Sequence, residues 1–227
     1  MKKRAVILCA GYHAHVVTEI LRCREDCELI GILDDNRQLH NTVRNGYAIL
    51  GRVSLLRELW DAGRVDSAIL GLGNISMLRP RVEIYEKARS LGVEMIQAIH
   101  PTAFVSPSAL CGPGLFLGPH AVINTGVKLG ENIVVYTGST IDHDSEIKDH
   151  VFISPGVHTA GQVLIERGVY IGPGAIICSG CVIGEGSVIG AGAVVNHDIP
   201  TGNVAFGVPA RVQKSVQEWR KKFCETK

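Results

Sequence analysis

The stretch IGPGAIICSGCVIGEGSVIGAGAVV, residues 171–195, repeats itself every six residues, and that period decides the fold of the C-terminal half. Every sixth residue from Val105 to Val195 gives sixteen positions, and all but Cys111 and Thr159 are aliphatic. The residues four further on, from Ala121 to Ala193, are small or β-branched almost throughout. Glycine follows the aliphatic position at Gly118, Gly130, Gly172, Gly184 and Gly190. A hexad period sustained over ninety residues is the mark of a solenoid of the parallel β-helix type. Each hexad forms one flat side of a triangular coil, its aliphatic residue pointing inward and its small residue fitting the corner. The repeat stops at Pro200-Thr201-Gly202. A polar helix over Val212–Phe223 is expected to cap the open end, which would otherwise expose a β-edge.

Upstream of His100-Pro101 the pattern changes. Strands are expected at Arg4–Ala10, Leu29–Leu33, Ser67–Gly71 and Met95–Ile99, and helices at Ala14–Arg24, Ser54–Trp60 and Met77–Ser90. Strands alternating with helices imply a small parallel sheet with helices on its faces. The chain therefore divides into an α/β domain over 1–100, an all-β solenoid over 101–211 and a capping helix over 212–227. Few aromatics (5%) and 26 glycines suit narrow, stacked β-structure. A net charge of +1 gives no reason to expect nucleic acid or an anionic membrane as a partner. The apolar run Ala5–Ala10 is too short for an export signal, and no apolar stretch reaches membrane-spanning length. The seven cysteines are accordingly expected as reduced thiols in a cytoplasm. Cys178 and Cys181 form a CxxC, but both fall on regular repeat positions and no second ligand pair follows. They read as small apolar residues of a coil, and no metal is expected.

Two places carry chemistry. His143 lies two residues past the inward Ile141, which puts its side chain on the outer surface of the coil, beside Asp144. An imidazole with an ordinary pKa near ~6.5 is the usual general base at neutral pH. Spacing alone favours a solvated surface histidine beside an acid. The second place is Cys9-Ala10-Gly11-Tyr12-His13, between the first strand and the first helix, where a glycine turn lets backbone N–H groups approach phosphates. It fails the GxGxxG dinucleotide pattern. Asp34 and Asp35 close the second strand, where an acid can accept hydrogen bonds from a ribose or base, and Gly73 follows the third. An ordinary strand–turn–helix with acid-rich loops accounts for these residues as well.

Hexads of the form Ile-Gly-x-Gly-(Ala/Ser)-x, ending in Gly207-Val208-Pro209-Ala210, resemble the hexapeptide acyltransferases, which are trimers built on a left-handed β-helix. Thr137-Gly-Ser-Thr-Ile-Asp-His-Asp144 is similar to the active-site stretch of one branch. That branch holds the sialic-acid-type O-acetyltransferases and the nucleotide-aminosugar N-acetyltransferases, among them the bacillosamine and perosamine pathway enzymes. The segment His100 to Ala109 resembles its domain junction, and the likeness covers essentially the whole chain.

The resemblance implies transfer of acetyl from acetyl-CoA to the amine of a nucleotide-linked amino-dideoxysugar, with no acyl-enzyme. It makes His143 the base and Asp144, where the family often has Glu, its orienting partner. It places the nucleotide sugar on Gly11, Tyr12, His13, Asp34, Asp35 and Gly73. Coenzyme A would lie in a groove between two β-helices of a homotrimer, with Phe152 and Gly161 at positions near the donor. Departures are Cys9 and Tyr12 at two usual glycines, Tyr136 at a usual Asn, and Phe152 where one relative has His. Rival expectations are O-acetylation of a sialic-type sugar, which would act on a hydroxyl sugar without nucleotide diphosphate, and a non-catalytic sugar-nucleotide binder. A nicotinamide dehydrogenase ranks below both.

Overall fold

The computed structural model describes residues 2–73 and 78–225, and divides between Pro101 and Thr102 into two compact units. The first unit contains β1 (Lys3–Leu8), α1 (Tyr12–Arg22), β2 (Cys27–Leu33), β3 (Val43–Arg44), β4 (Tyr47–Gly51), α2 (Leu56–Asp61), β5 (Ser67–Leu70), α3 (Leu78–Ser90) and β6 (Glu94–Met95). The sheet order is β3-β4-β2-β1-β5-β6, parallel except for the antiparallel pair β3–β4. Ala5, Val6, Ile7 and Leu8 are all fully buried, as an unbroken apolar run in a central parallel strand with both faces covered must be. One face packs Leu8, Leu33, Leu56, Leu59, Leu70, Tyr85 and Met95 into a common core.

Several boundaries differ from the sequence expectation. Helix α1 starts at Tyr12 because Gly11 serves as its N-cap. The helix expected over Ser54–Trp60 is a 3-10 turn at Val53–Leu55 leading into α2. The strand expected over Met95–Ile99 is two short ones, β6 and β7 (Ala98–Ile99). Met77, the expected first residue of α3, lies outside the described residues. The β3–β4 hairpin was not expected at all. Its turn is Asn45-Gly46, with φ of 54° and 81°, and Asn-Gly is the strongest short hairpin signal a sequence can carry.

In the second unit each hexad contributes one two-residue strand, from β8 (Phe104–Val105) to β23 (Val194–Val195). Strands eighteen residues apart pair in parallel, as Val122 and Ile123 do with Thr140 and Ile141, and three hexads make one coil. The result is a left-handed parallel β-helix. The aliphatic positions from Leu117 to Val195 point inward and are buried, as Thr159 is. So are the residues four further on, which line the interior rather than merely filling a corner. Each fully buried Val or Ile is worth about 1.5–3 kcal/mol of apolar burial, so a ladder of them dominates the stability of the coil.

The corners obey a second rule. From 114 to 192, every sixth residue adopts a positive φ: Gly at 114, 126, 138, 156, 168, 174, 180, 186 and 192, and otherwise His120, Asn132, Asp144, His150 and Gln162. That conformation costs a side-chain-bearing residue about 1–2 kcal/mol. Asn, Asp and His tolerate it better than most.

The tail differs from expectation. Residues 212–215 are not helical: β24 (Asn203–Gly207) turns back into β25 (Ala210–Ser215), and α4 runs over Val216–Glu225. The helix starts there because Ser215 and Glu218 form a reciprocal cap. The Glu218 amide donates to Ser215 Oγ at 3.2 Å and the Ser215 amide donates to Glu218 Oε2 at 2.8 Å. Strand β24 continues one solenoid sheet beside Val188-Ile189.

Candidate active site

In the solenoid, His143 and Asp144 are the two residues of one corner, held by the coils on either side. The Asp144 amide donates to the Thr125 carbonyl one coil earlier at 3.0 Å, and the Gln162 amide one coil later donates to the His143 carbonyl at 2.9 Å. Asp142 braces the corner: its Oδ1 accepts from the His143 amide at 2.8 Å and from Asn124 Nδ2 at 2.7 Å. His143 is 53% exposed, and its Nδ1 lies 3.0 Å from Asp144 Oδ2. An ionised carboxylate can only accept, so the neutral ring carries its proton on Nδ1 and keeps the Nε2 lone pair. The hydrogen bond to Asp144, then the charges of Asp142 and Asp144, raise His143 above the ordinary imidazole value, against a smaller cost of lost water. The far edge of the ring lies over Gly161, where a Cβ would come 2.5 Å from both Cε1 and Nε2. Gly161 is therefore at the base itself, in the coil that follows it.

Phe152 is buried, its ring stacked on Tyr170 at 5.4 Å and packed against Tyr136 at 5.6 Å, which in turn meets Phe116 at 5.1 Å. Both family departures in this unit, Tyr136 and Phe152, thus belong to one aromatic ladder. His158 is exposed with Nδ1 2.9 Å from Thr140 Oγ1, and His120 and His150 are corner residues. Cys181 is a buried inward residue and Cys178 is half-buried. Among the described residues no group of His, Cys, Asp and Glu is placed to hold a metal ion, and no helix is long and apolar enough to cross a membrane.

In the first unit the strand order reverses at β1, which has β2 on one side and β5 on the other. The crevice beyond the C-terminal ends of β1 and β5 is where open parallel sheets bind ligands. Gly11 and Gly71 shape it, the second unforeseen from sequence. A Cβ on Gly71 would collide with the Cys9 carbonyl, and one on Gly11 would sit 3.0 Å from the Gly71 carbonyl. Gly11 offers no side-chain cap and the first turn of α1 holds no acid, so the helix end is met by no carboxylate of its own helix. Tyr12 projects from it, 94% exposed, and Gly73, three residues past β5, is half-buried.

The acids are busier than expected. Asp34 Oδ2 accepts from the Ala10 amide at 2.7 Å and its Oδ1 from the Asn36 amide at 2.7 Å, while its carbonyl accepts from His40 Nε2. Asp35 is exposed and accepts from the Val53 amide at 3.0 Å through Oδ1. Asp34 therefore fastens the β1–α1 turn, and Asp35 is the acid with an oxygen to spare. His13 lies on the buried face of α1, 3% exposed. Burial first, then the charge of Arg81, push it well below the ordinary imidazole value, and it is neutral. Arg81 is itself buried, donating to the Leu72 carbonyl at 2.6 Å. Nothing in the sequence singled it out, because an arginine in a charged helix reads as solvated. Cys9 takes φ 74°, a glycine-like conformation at a usual family glycine. Burial, then Asp34 and Asp35, push its thiol up to about 12.

Comparison with known proteins matches residues 4–88 to the PglD N-terminal domain. Residues 114–143 match the hexapeptide repeat of succinyl-transferase, and 162–197 match the bacterial transferase hexapeptide. A mutant of perosamine N-acetyltransferase from Caulobacter crescentus, solved with CoA and GDP-perosamine, is 31% identical over 93% of this chain and 97% of its own, with a TM-score of 0.86. The acetyltransferase domain of PglB from Neisseria gonorrhoeae, solved with acetyl coenzyme A, is 34% identical over 94% of this chain and 100% of its own, also at 0.86. WeeI from Acinetobacter baumannii, at 24% identity and a TM-score of 0.77, shares the fold. A search of curated proteins gave no match.

Proposed function

The chain belongs to the hexapeptide-repeat sugar acetyltransferases that carry a PglD-type N-terminal domain, and from that premise we propose that it N-acetylates a nucleotide-linked amino-dideoxysugar with acetyl-CoA as donor. The observation that carries the reading is the exposed corner of His143 and Asp144, whose tautomer leaves Nε2 free to take a proton. The sugar amine attacks the thioester carbonyl, the C–S bond breaks, and the amine proton passes to Nε2. Asp144 steadies the imidazolium that results. The nucleotide rests at the crevice after β1 and β5, its phosphates toward the N-terminus of α1 at Gly11 and Tyr12, and its ribose or base toward Asp35. Asp34 and His13 support that turn from behind. Coenzyme A runs along the solenoid past Gly161, in a groove that a second subunit of a homotrimer walls.

CoA release measured against UDP-, GDP- and dTDP-linked amino sugars tests the reading. Release with one nucleotide amino sugar and none with the matching hydroxyl sugar is expected. Acetylation of a free hydroxyl sugar would transfer the protein to the O-acetylating side of the branch, and binding without thiol release would make it a sensor. Light scattering showing an active monomer of about the chain's 24.4 kDa mass would remove the groove.

A further inference from the structure

We propose that Gly126 and Gly161 are positioning residues for the dyad, each leaving out the Cβ that would otherwise fill the place of the Asp144 carboxylate or the His143 ring. The inference rests on His143 acting as the base. With three hexads to a coil, Gly126 lies one coil before Asp144 and Gly161 one coil after His143. The carboxylate leans back toward the earlier coil: a Cβ at Gly126 would stand 2.6 Å from Asp144 Oδ1. The ring leans forward onto the later one, where a Cβ at Gly161 would stand 2.5 Å from Cε1 and Nε2 and 2.9 Å from Cδ2. Real contacts of this kind are not made, so an added methyl moves the dyad. What it meets in both places is a side chain rather than backbone, so the coil itself has no reason to open.

Backbone conformation does not explain Gly161, and it does not set Gly126 apart from corners that carry side chains. Gly161 is not among the positive-φ residues. Gly126 has φ 70°, but corners with φ between 56° and 62° hold His120, Asn132, Asp144, His150 and Gln162 in this same solenoid. Gly168 supplies a matched control, with φ 68° and nothing within 4 Å of a Cβ. The charged groups around the ring are Asp142 and Asp144 of its own corner. The earlier coil brings Asn124, Thr125 and Gly126 to this corner and the later one Thr159, Gly161 and Gln162, none of which ionises near neutrality.

The test compares kcat, both KM values and the pH profile of kcat/KM for Gly126→Ala, Gly161→Ala and Gly168→Ala. Gly161→Ala should lower kcat on the order of 10- to 100-fold, the effect of misplacing a base by about an ångström, over and above any rise in KM for acetyl-CoA from the groove it also lines. Gly126→Ala should lower kcat about tenfold and shift the acid limb toward lower pH, because the carboxylate that raises His143 is displaced. In an Asp144→Ala background it should then cost nothing further. Gly168→Ala should match wild type in rate and profile. If Gly126→Ala fails to fold while Gly126→Ala/Asp144→Ala recovers the assembly, the conflict with the carboxylate is shown directly. Failure of both, beside a folded Gly168→Ala, overturns the inference. So does a Gly126→Ala or Gly161→Ala enzyme with unchanged kcat and pH profile. His143→Ala run alongside keeps the two readings apart: full turnover there removes the base, whereas a dead His143→Ala with intact glycine variants removes only the positioning role.

Discussion

The solenoid corner at His143 and the sheet crevice at Asp34 both place carboxylates beside a candidate ligand site, yet they use them in opposite ways. In the solenoid the coil ladder takes the Asp144 amide and the His143 carbonyl and Asp142 takes the His143 amide, so Asp144 is left to serve one side chain, and both members of that pair stand in solvent. In the α/β unit the turn after β1 leaves the ladder, and Asp34 spends both oxygens on amides at Ala10 and Asn36. A regular repeat frees polar residues for chemistry. An irregular turn consumes them to hold its shape.

The largest effect expected from this contrast is at His143. His143→Ala should fold and bind both substrates but lose roughly 10²–10⁴-fold in kcat by steady-state assay, the usual worth of a positioned base. Near-normal turnover would erase the solenoid side of the contrast and make His158 the next residue to test. Asp34→Ala should act on the other side. Losing two charge-assisted acceptors should cost about 1–3 kcal/mol of stability in denaturant unfolding, with a raised KM for the sugar nucleotide. An unchanged unfolding midpoint would show that Asp34 is not a fastener.

Asp144→Ala should cost less in kcat than His143→Ala. Its signature is in the pH profile. The base works only when neutral, and Asp144 raises its pKa, so activity falls off from a higher pH in wild type than in the variant. The acid limb of kcat/KM should therefore move toward lower pH in Asp144→Ala. A limb that stays put would mean the carboxylate does not reach the ring in solution. Asp35→Ala should be milder again, raising KM for the sugar nucleotide while KM for acetyl-CoA and the unfolding midpoint stay near wild type. Equal loss in both constants would make Asp35 structural like its neighbour. Smallest is a labelling difference within the α/β unit. Cys9, buried with its thiol pushed up to about 12, should resist alkylation at neutral pH while the exposed Cys23 reacts, as read by mass spectrometry. Rapid labelling of Cys9 in the native protein would mean that the turn opens.

How much could be seen in advance differed between the units for the same reason. The hexad period announced the inward residues, the outward His143 and the parallel coil, because every coil repeats one backbone solution. The Asn45-Gly46 turn and the Ser215-x-x-Glu218 cap are equally local signals, but each occurs once and has no repeat to reinforce it. Gly71 and Arg81 had no such signal. The first matters only because β1 and β5 end side by side, the second only because α3 turns that position inward.

By itself the sequence determined the period, and with it the coil, the outward position of His143 beside Asp144, and the change to an α/β unit near Pro101. Short-range pattern suffices there, since a residue's surroundings are set by neighbours at fixed spacing. The corner itself, expected at the small residues, falls one residue earlier, at Asp144. Only the tertiary structure decided which acid fastens a turn and which has an oxygen to spare, that His13 is buried and neutral, and that Phe152 is enclosed in an aromatic ladder. It also decided that Gly126 and Gly161 face the dyad from opposite coils. The column spacing of eighteen fixes which residues stack, but the direction in which a side chain leans across a coil is settled by packing and hydrogen bonds made in three dimensions.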